Sequence, residues 1–194
     1  MFQNFPLFNS HIDLAHLYWA KILQKGDWAI DATCGNGNDT LKIALFEKGP
    51  VIALDIQEEA IANTRTLLQA HLPSDALPCV HLFQQSHAEF PQLAYEHPIR
   101  LIVYNLGYLP KGNKQLTTLT ESTLESLDKA LELVMPGGAI SITCYPGHEE
   151  GEREEQALIK KISLISVKKW NVCHHTFLNR TKSPSLILIQ KQYN

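Results

Sequence analysis

Short runs that are wholly apolar at 28–30 and 51–54, and mostly apolar at 79–83, 99–104 and 139–144, punctuate this chain. Runs of that length predict strands buried on both faces of a sheet. Between them apolar positions recur at helical spacing, which predicts helices over 11–23, 39–47, 57–70, 89–95, 117–134 and 149–166. The residues at the element ends agree. Asn9 or Ser10 is placed to cap the first helix, and Gly26 ends it. Thr117 or Thr118, with Glu121, suits a capping box, and Pro136-Gly137-Gly138 predicts the turn into the strand at 139–144. Segments 172–178 and 186–190 close the chain as an antiparallel edge pair. Strands alternating with helices, then a hairpin, predict an α/β fold: a mostly parallel, Rossmann-like sheet of seven strands with helices on both faces. No repeat, linker or low-complexity tract divides the chain. Residues 1–194 are therefore expected to form one domain, with 1–26 supplying an amino-terminal arm and helix.

Composition narrows this picture without redirecting it. At 194 residues, 44% hydrophobic and 19% charged, the chain can bury a sizeable core without staples. A net charge of −3 gives no global basic footprint, so contact with nucleic acid has to rest on local patches. Cys34, Cys79, Cys144 and Cys173 contain no CxxC pair. Three of them fall in or beside predicted strands, which predicts buried, reduced thiols. The amino terminus has no basic region followed by an apolar run, and no apolar segment approaches the ~20 residues of a membrane helix. A cytoplasmic protein with no membrane partner is expected.

The first chemistry lies between residues 28 and 55. Gly35 and Gly37 allow a tight turn and close backbone approach to a ligand, at the strand ends where open α/β sheets bind ligands. A dinucleotide fingerprint, GxGxxG, requires a third glycine, and Thr40 stands in its place. No Gly-Lys-Ser/Thr follows, which excludes a P-loop. The turn residues Asn36, Asn38 and Asp39 are polar and acidic, favourable to a helix start but repulsive to a pyrophosphate. S-adenosylmethionine suits them better, having no phosphate, a cationic sulfonium and an α-amino group. Asp31 is placed to reach its amino-acid moiety, directly or through water. Asp55, 20 residues after Gly35, is placed to accept both ribose hydroxyls. The expected cofactor-binding set comprises Asp31, Thr33, Gly35, Asn36, Gly37, Asn38, Asp39, Thr40, Asp55, Ile56 and Gln57. Ser86 and His87 are expected at the adenine edge, and Asn105 and Leu106 at the sulfonium. Singly, Asp31 also reads as a cap, Asp55 as a turn former and the glycines as a plain turn. Their joint spacing is what points to a ligand.

The reaction centre is expected where the fourth strand breaks at Asn105-Leu106-Gly107-Tyr108, facing the sulfonium across the switch point of the sheet. Methyl transfer from a sulfonium is an in-line displacement and needs a lone pair aimed at the methyl carbon. The Asn105 carbonyl and the Leu106 backbone oxygen would accept N–H bonds from an amine and aim it. Asn-x-x-Tyr resembles the Asn-Pro-Pro-Tyr loop of amino-group methyltransferases, and Tyr108 would stack on a flat base. Singly, Asn105 also reads as a strand-end turn residue and Tyr108 as a core aromatic. An alkyl ammonium, with a reference pKa of ~10.4, costs up to about 4.6 kcal/mol to present as a neutral amine at pH 7. Desolvation offsets part of that. His148, after the fifth strand, is a candidate proton acceptor and equally a surface loop histidine. His174 and His175 would point to opposite faces of a strand, so no metal site is expected.

The motifs DATCGNGNDT, ALDIQ, QSH, NLGYLP and YPGH, in this order, resemble small bacterial class I methyltransferases first catalogued as ribosomal RNA methylases. That family includes the MnmM-type tRNA enzymes, and the similarity runs from His16 to the terminal strands. The resemblance implies methyl transfer from S-adenosylmethionine to the amine of 5-aminomethyl-2-thiouridine at the tRNA wobble position. It therefore implies tRNA, contacted at its anticodon region, as partner, and a homodimer. After NLGYLP the family reads Gly-Gly-Asp-Lys, whereas this chain has Lys111-Gly112-Asn113-Lys114, a more basic loop suited to phosphate. RNA contact is then expected at Gly107, Tyr108, Lys111, Lys114, Tyr145, Arg180 and Lys182. A ribosomal RNA or small-amine methyltransferase, a non-catalytic S-adenosylmethionine sensor, and a dehydrogenase are the alternatives. A sensor needs neither Asn105 nor Tyr108.

Overall fold

Side chains alternate across a strand, and this chain supplies apolar residues to both faces of its central strands. The computed structural model describes residues 10–107 and 118–193. Among these, seven strands form one sheet: β1 (Trp28–Asp31), β2 (Val51–Asp55), β3 (Val80–Gln84), β4 (Ile99–Asn105), β5 (Val134–Cys144), β6 (Trp170–His175) and β7 (Ser185–Lys191). The helices are α1 (His11–Ile22), α2 (Asn38–Ala44), α3 (Glu58–His71), α4 (Gln92–Tyr95), α5 (Thr120–Leu133) and α6 (Glu149–Ile162). The spatial order is β3-β2-β1-β4-β5-β7-β6. The first five of these run parallel, and β7 is antiparallel to both its neighbours.

Ile30, Ile52, Leu54, Ile102 and Tyr104 face one side of the sheet, under Ala94 of α4, Leu127 of α5 and Leu158 of α6. Ala29, Val51, Leu101 and Val103 face the other, under Ala15 and Trp19 of α1 and Ile43 of α2. At about 1.5–3 kcal/mol per fully buried Val, Leu or Ile side chain, burial on two faces fixes these strands in the middle of the sheet. Between β1 and β4 the strand order reverses, opening a crevice at the carboxyl ends.

Some local expectations are corrected. Pro136-Gly137-Gly138 does not precede β5 but lies inside it. The pairing jumps from Ile99 with Val134 to Leu101 with Ala139, so the extra residues bulge out of the strand. The antiparallel edge pair does form as expected, with β7 against β5 and β6 outermost. The capping box does not form: Thr118 bonds Gly107 and Glu154, Glu121 pairs with Arg153, and Thr117 lies outside the described residues. The Glu150 carboxylate of α6 caps α5 instead, accepting the Thr120 N–H at 2.9 Å. A tertiary contact thus replaces a local one. Ser10 does cap α1. Cys34 and Cys144 are buried, but Cys79 and Cys173 are exposed, and all four are free thiols.

Gly37 shows how tightly the turn before α2 is packed. Its φ of +84° is left-handed, and a Cβ there would stand 2.8 Å from the Thr64 Cα of α3. This glycine lets two backbones meet rather than admitting a ligand. Gly37→Ala should destabilise the chain by about 2 kcal/mol or more, combining left-handed strain with overpacking. Denaturant unfolding measures this, and an unchanged midpoint would mean that α3 can move away from the turn.

Candidate active site

The glycine turn is fastened to the end of β2 by one carboxylate. Asp55 Oδ2 accepts the Gly35 N–H at 3.0 Å, and its Oδ1 accepts the Gln57 N–H at 2.9 Å. From α3, the Thr64 hydroxyl donates to the Gly35 carbonyl and the Asn63 amide donates to Asn36. Burial raises the Asp55 pKa, while the backbone N–H donors oppose the rise.

Asp31, ending β1, is wholly buried. Its Oδ2 accepts the Thr40 hydroxyl at 2.6 Å and its Oδ1 the Thr33 N–H at 3.3 Å. Burial first, and then the nearby Asp39 charge, push its pKa up to about 7. The Thr33 hydroxyl in turn accepts the Asn105 N–H at 2.7 Å, tying the ends of β1 and β4 together. Asp39, in the first turn of α2, joins three elements. One of its oxygens lies 2.9 Å from His16 Nε2 of α1, and the other accepts the Asn105 Nδ2–H at 2.9 Å. Holding the amide nitrogen in this way fixes the orientation of the Asn105 amide and leaves its carbonyl as the end available to an N–H donor. Also from α1, His11 Nε2 lies 3.3 Å from the Tyr145 hydroxyl.

These groups border a cavity of about 480 Å³, within the usual range for small-molecule sites. Its lining includes Thr33, Gly35, Asn36, Asn38, Asp39, Asp55, Gln57, Asn105, Leu106, Tyr145, His148 and Lys182 among the residues expected from sequence. Other expected residues do not line it. Asp31 and Thr40 are fully buried, and Asp31 holds Thr33 and Thr40. Gly37 packs on α3. Ser86 and His87 are absent from the lining. Ser86 Oγ accepts the Ala88 N–H, while His87 lies against Thr123 and Tyr104, its pKa pushed down to about 4 by burial. His87 thus faces α5. Ile56 is exposed beside the site, and Gly107 is engaged with Thr118. Arg180 stacks over Phe177 away from the cavity, whereas Lys182 from the same loop borders it and pairs with Glu152. Tyr108, Lys111 and Lys114 lie outside the described residues.

His148 meets a different correction. Its Nδ1 accepts the Gly151 N–H at 3.1 Å as the cap of α6. A neutral ring in that tautomer carries its hydrogen on Nε2 and has its lone pair engaged, so His148 is not placed to take a proton. Sequence reasoning missed His11 and His16 as site residues, along with Cys34, Gly147 and Pro184 of the lining. The family likeness touched three of them: it begins at His16, and its motifs DATCGNGNDT and YPGH contain Cys34 and Gly147.

A family model described as "Putative rRNA methylase" matches residues 51–191. The chain belongs to this methylase family. Across 94% of its length the methylase is 40% identical to the tRNA (mnm(5)s(2)U34)-methyltransferase, chloroplastic, of Arabidopsis thaliana, covering 69% of that protein. Among solved structures, it superposes on a "putative rRNA-methylase" from Clostridium thermocellum with a TM-score of 0.85 at 33% identity, covering 94% of this chain and 97% of that one. A "putative methyltransferase" from Streptococcus mutans, in complex with SAH, gives a TM-score of 0.81 at 31% identity, covering 95% and 99%. The fold is accordingly that of a class I methyltransferase.

The raised Asp31 pKa has a testable consequence. A carboxyl that protonates more readily when folded contributes stability below its unfolded value of 3.8, and loses it as pH rises through about 7. The melting temperature of the native methylase should therefore fall more steeply between about pH 5 and pH 8 than that of Asp31→Asn. Calorimetric melts across that range measure the difference, and equal slopes would mean that Asp31 ionises as it does in water.

Proposed function

We propose that the methylase, acting as one domain, transfers a methyl group from S-adenosylmethionine to the amine of 5-aminomethyl-(2-thio)uridine at the tRNA wobble position. The observation that carries this reading is the Asn105 amide, turned by Asp39 so that its carbonyl can accept N–H from an amine beside the cavity. The name of the Arabidopsis relative supplies the nucleoside.

The donor set fits the cofactor. Asp39 and Asp55 border the cavity and Asp31 lies under it, whereas Lys182 is the one lysine or arginine among the described lining residues. Such a site attracts a cation and disfavours a phosphate. Asp55 would accept the ribose hydroxyls, and Asn38 with Asp39 would face the amino-acid moiety. When bound, S-adenosylmethionine supplies an electrophilic methyl on a positively charged sulfur. Asn105 and the Leu106 carbonyl hold the amine N–H groups so that the nitrogen lone pair faces that methyl. Tyr145 borders the same space, and Lys182 with Lys111 and Lys114 is assigned to phosphates of the anticodon stem-loop. A homodimer and a cytoplasmic location belong to the same proposal. The location rests on four free thiols, which suit a reducing compartment. No helix among the described residues is long and apolar enough to cross a membrane.

Mass spectrometry of tRNA nucleosides after incubation with the methylase should show one CH₂ added to the aminomethyl uridine. Asn105→Ala should bind S-adenosylhomocysteine in calorimetry as the native protein does, yet methylate about 10²-fold more slowly. Full turnover by this variant would remove Asn105 from its role. Asp55→Ala should weaken cofactor binding about tenfold or more, the loss of one charge-assisted hydrogen-bond acceptor. An unchanged dissociation constant would take Asp55 out of the ribose site.

A further inference from the structure

An amine arrives at neutral pH mostly as an ammonium, which has no lone pair to offer. The site must take one proton from it, and His148 is not placed to do so. Tyr145 and Asn105 border the same cavity. Beside the Tyr145 hydroxyl stands His11, the first residue of α1, with Nε2 at 3.3 Å and its ring edge-on to the tyrosine at 5.4 Å between centroids. Cavity, hydroxyl and imidazole therefore form a continuous line from the Asn105 amide to a half-buried histidine.

We propose that His11, acting through the Tyr145 hydroxyl, receives the proton that the acceptor ammonium sheds before methylation. This rests on the amine-directed reading above. The ammonium N–H bond breaks as its proton moves to the tyrosine oxygen, and the tyrosine O–H proton moves to His11 Nε2. The tyrosine ends neutral, the amine has its lone pair, and the positive charge has moved to the imidazolium. His11, partly exposed, then passes the proton to water.

The surroundings suit that task. Burial lowers the His11 pKa, so the ring is neutral and able to accept at pH 7. The charged groups facing it are Asp39 of α2 and Asp13 of α1, and both stabilise the imidazolium once formed. Burial and the Asp39 charge push the Tyr145 hydroxyl up to about 12, with Asn105 opposing, so it relays a proton without resting as a phenolate. Helix α1 is thus part of the reaction apparatus as well as a cover for the sheet.

The test is the pH dependence of kcat for His11→Gln and His11→Ala, with S-adenosylhomocysteine affinity measured alongside. Cofactor affinity should stay within about twofold, while kcat at pH 7 falls by about 10²-fold, the usual loss on removing a proton acceptor. The deficit should shrink toward pH 10, where a growing share of the substrate amine is neutral before it binds, and added imidazole should restore His11→Ala in part. Full rate in His11→Gln, or a deficit equal at every pH and unmoved by imidazole, would overturn the route. A second measurement does not depend on the substrate assignment. Nitrogen-15 histidine spectra of the full chain at pH 7 should show His11 neutral, protonated on Nδ1, with Nε2 accepting. Hydrogen on Nε2 would overturn the route even if the methylase modifies tRNA as proposed.

Discussion

The carboxylate of Asp39 holds the candidate site together. It is nearly buried, it belongs to the first turn of α2, and its two oxygens serve different elements: His16 of α1 and Asn105 at the end of β4. An amide can be turned end for end at little intrinsic cost, so its orientation follows from whichever partner is fixed. Asp39 is fixed because α2 starts at a glycine turn fastened to Asp55 on one side and packed on α3 on the other. The direction in which Asn105 presents its carbonyl thus depends on a chain of constraints running back through the first βαβ unit.

The same region concentrates negative charge. Asp31, Asp39 and Asp55 cluster at the carboxyl ends of adjacent strands, and the upward shift of Asp31 reflects its burial first and then that crowding. Such a cluster is costly in an empty site and becomes favourable once a cation enters it. Its position at the reversal of strand order is the one an open α/β sheet reserves for ligands. Fold and charge therefore agree on a positively charged, phosphate-free cofactor, and likeness to a family of methylases agrees with both.

Much of the fold was legible in the chain because the central strands are apolar on both faces and the helices carry one stripe. Where helix or strand depended on a local pattern, as in 11–23 or 51–54, expectation and structure nearly coincide. The misjudged places are those where a distant residue took over a local task. Glu150 caps α5 in place of a neighbouring threonine, and β5 absorbs Pro136-Gly137-Gly138 as a bulge because Leu101 finds its partner at Ala139. Of the site, Asp55, Asn105 and the glycine turn were legible because they stand at strand ends within recognisable spacings. Ser86 and His87 also follow a strand, but α5 draws His87 away from the cavity through Thr123, a contact 36 residues along the chain.

By itself, then, the sequence determined a doubly covered α/β sheet, a glycine turn unsuited to pyrophosphate, and an acidic cofactor pocket facing an asparagine. Each follows from periodicity, from the φ freedom of glycine, or from charge, all of which are local properties. Only the tertiary structure decided how that asparagine points and what stands behind it. His11 and His16 lie on a helix that precedes the first strand, and no spacing rule links them to Asp39 or Tyr145. They arrive at the cavity because Ala15 and Trp19, on the same helix, are buried in the apolar cluster that α1 forms over β4, β5 and β7. Apolar packing on one face of α1 thereby places its polar edge against the glycine turn, and with it the orientation of Asn105.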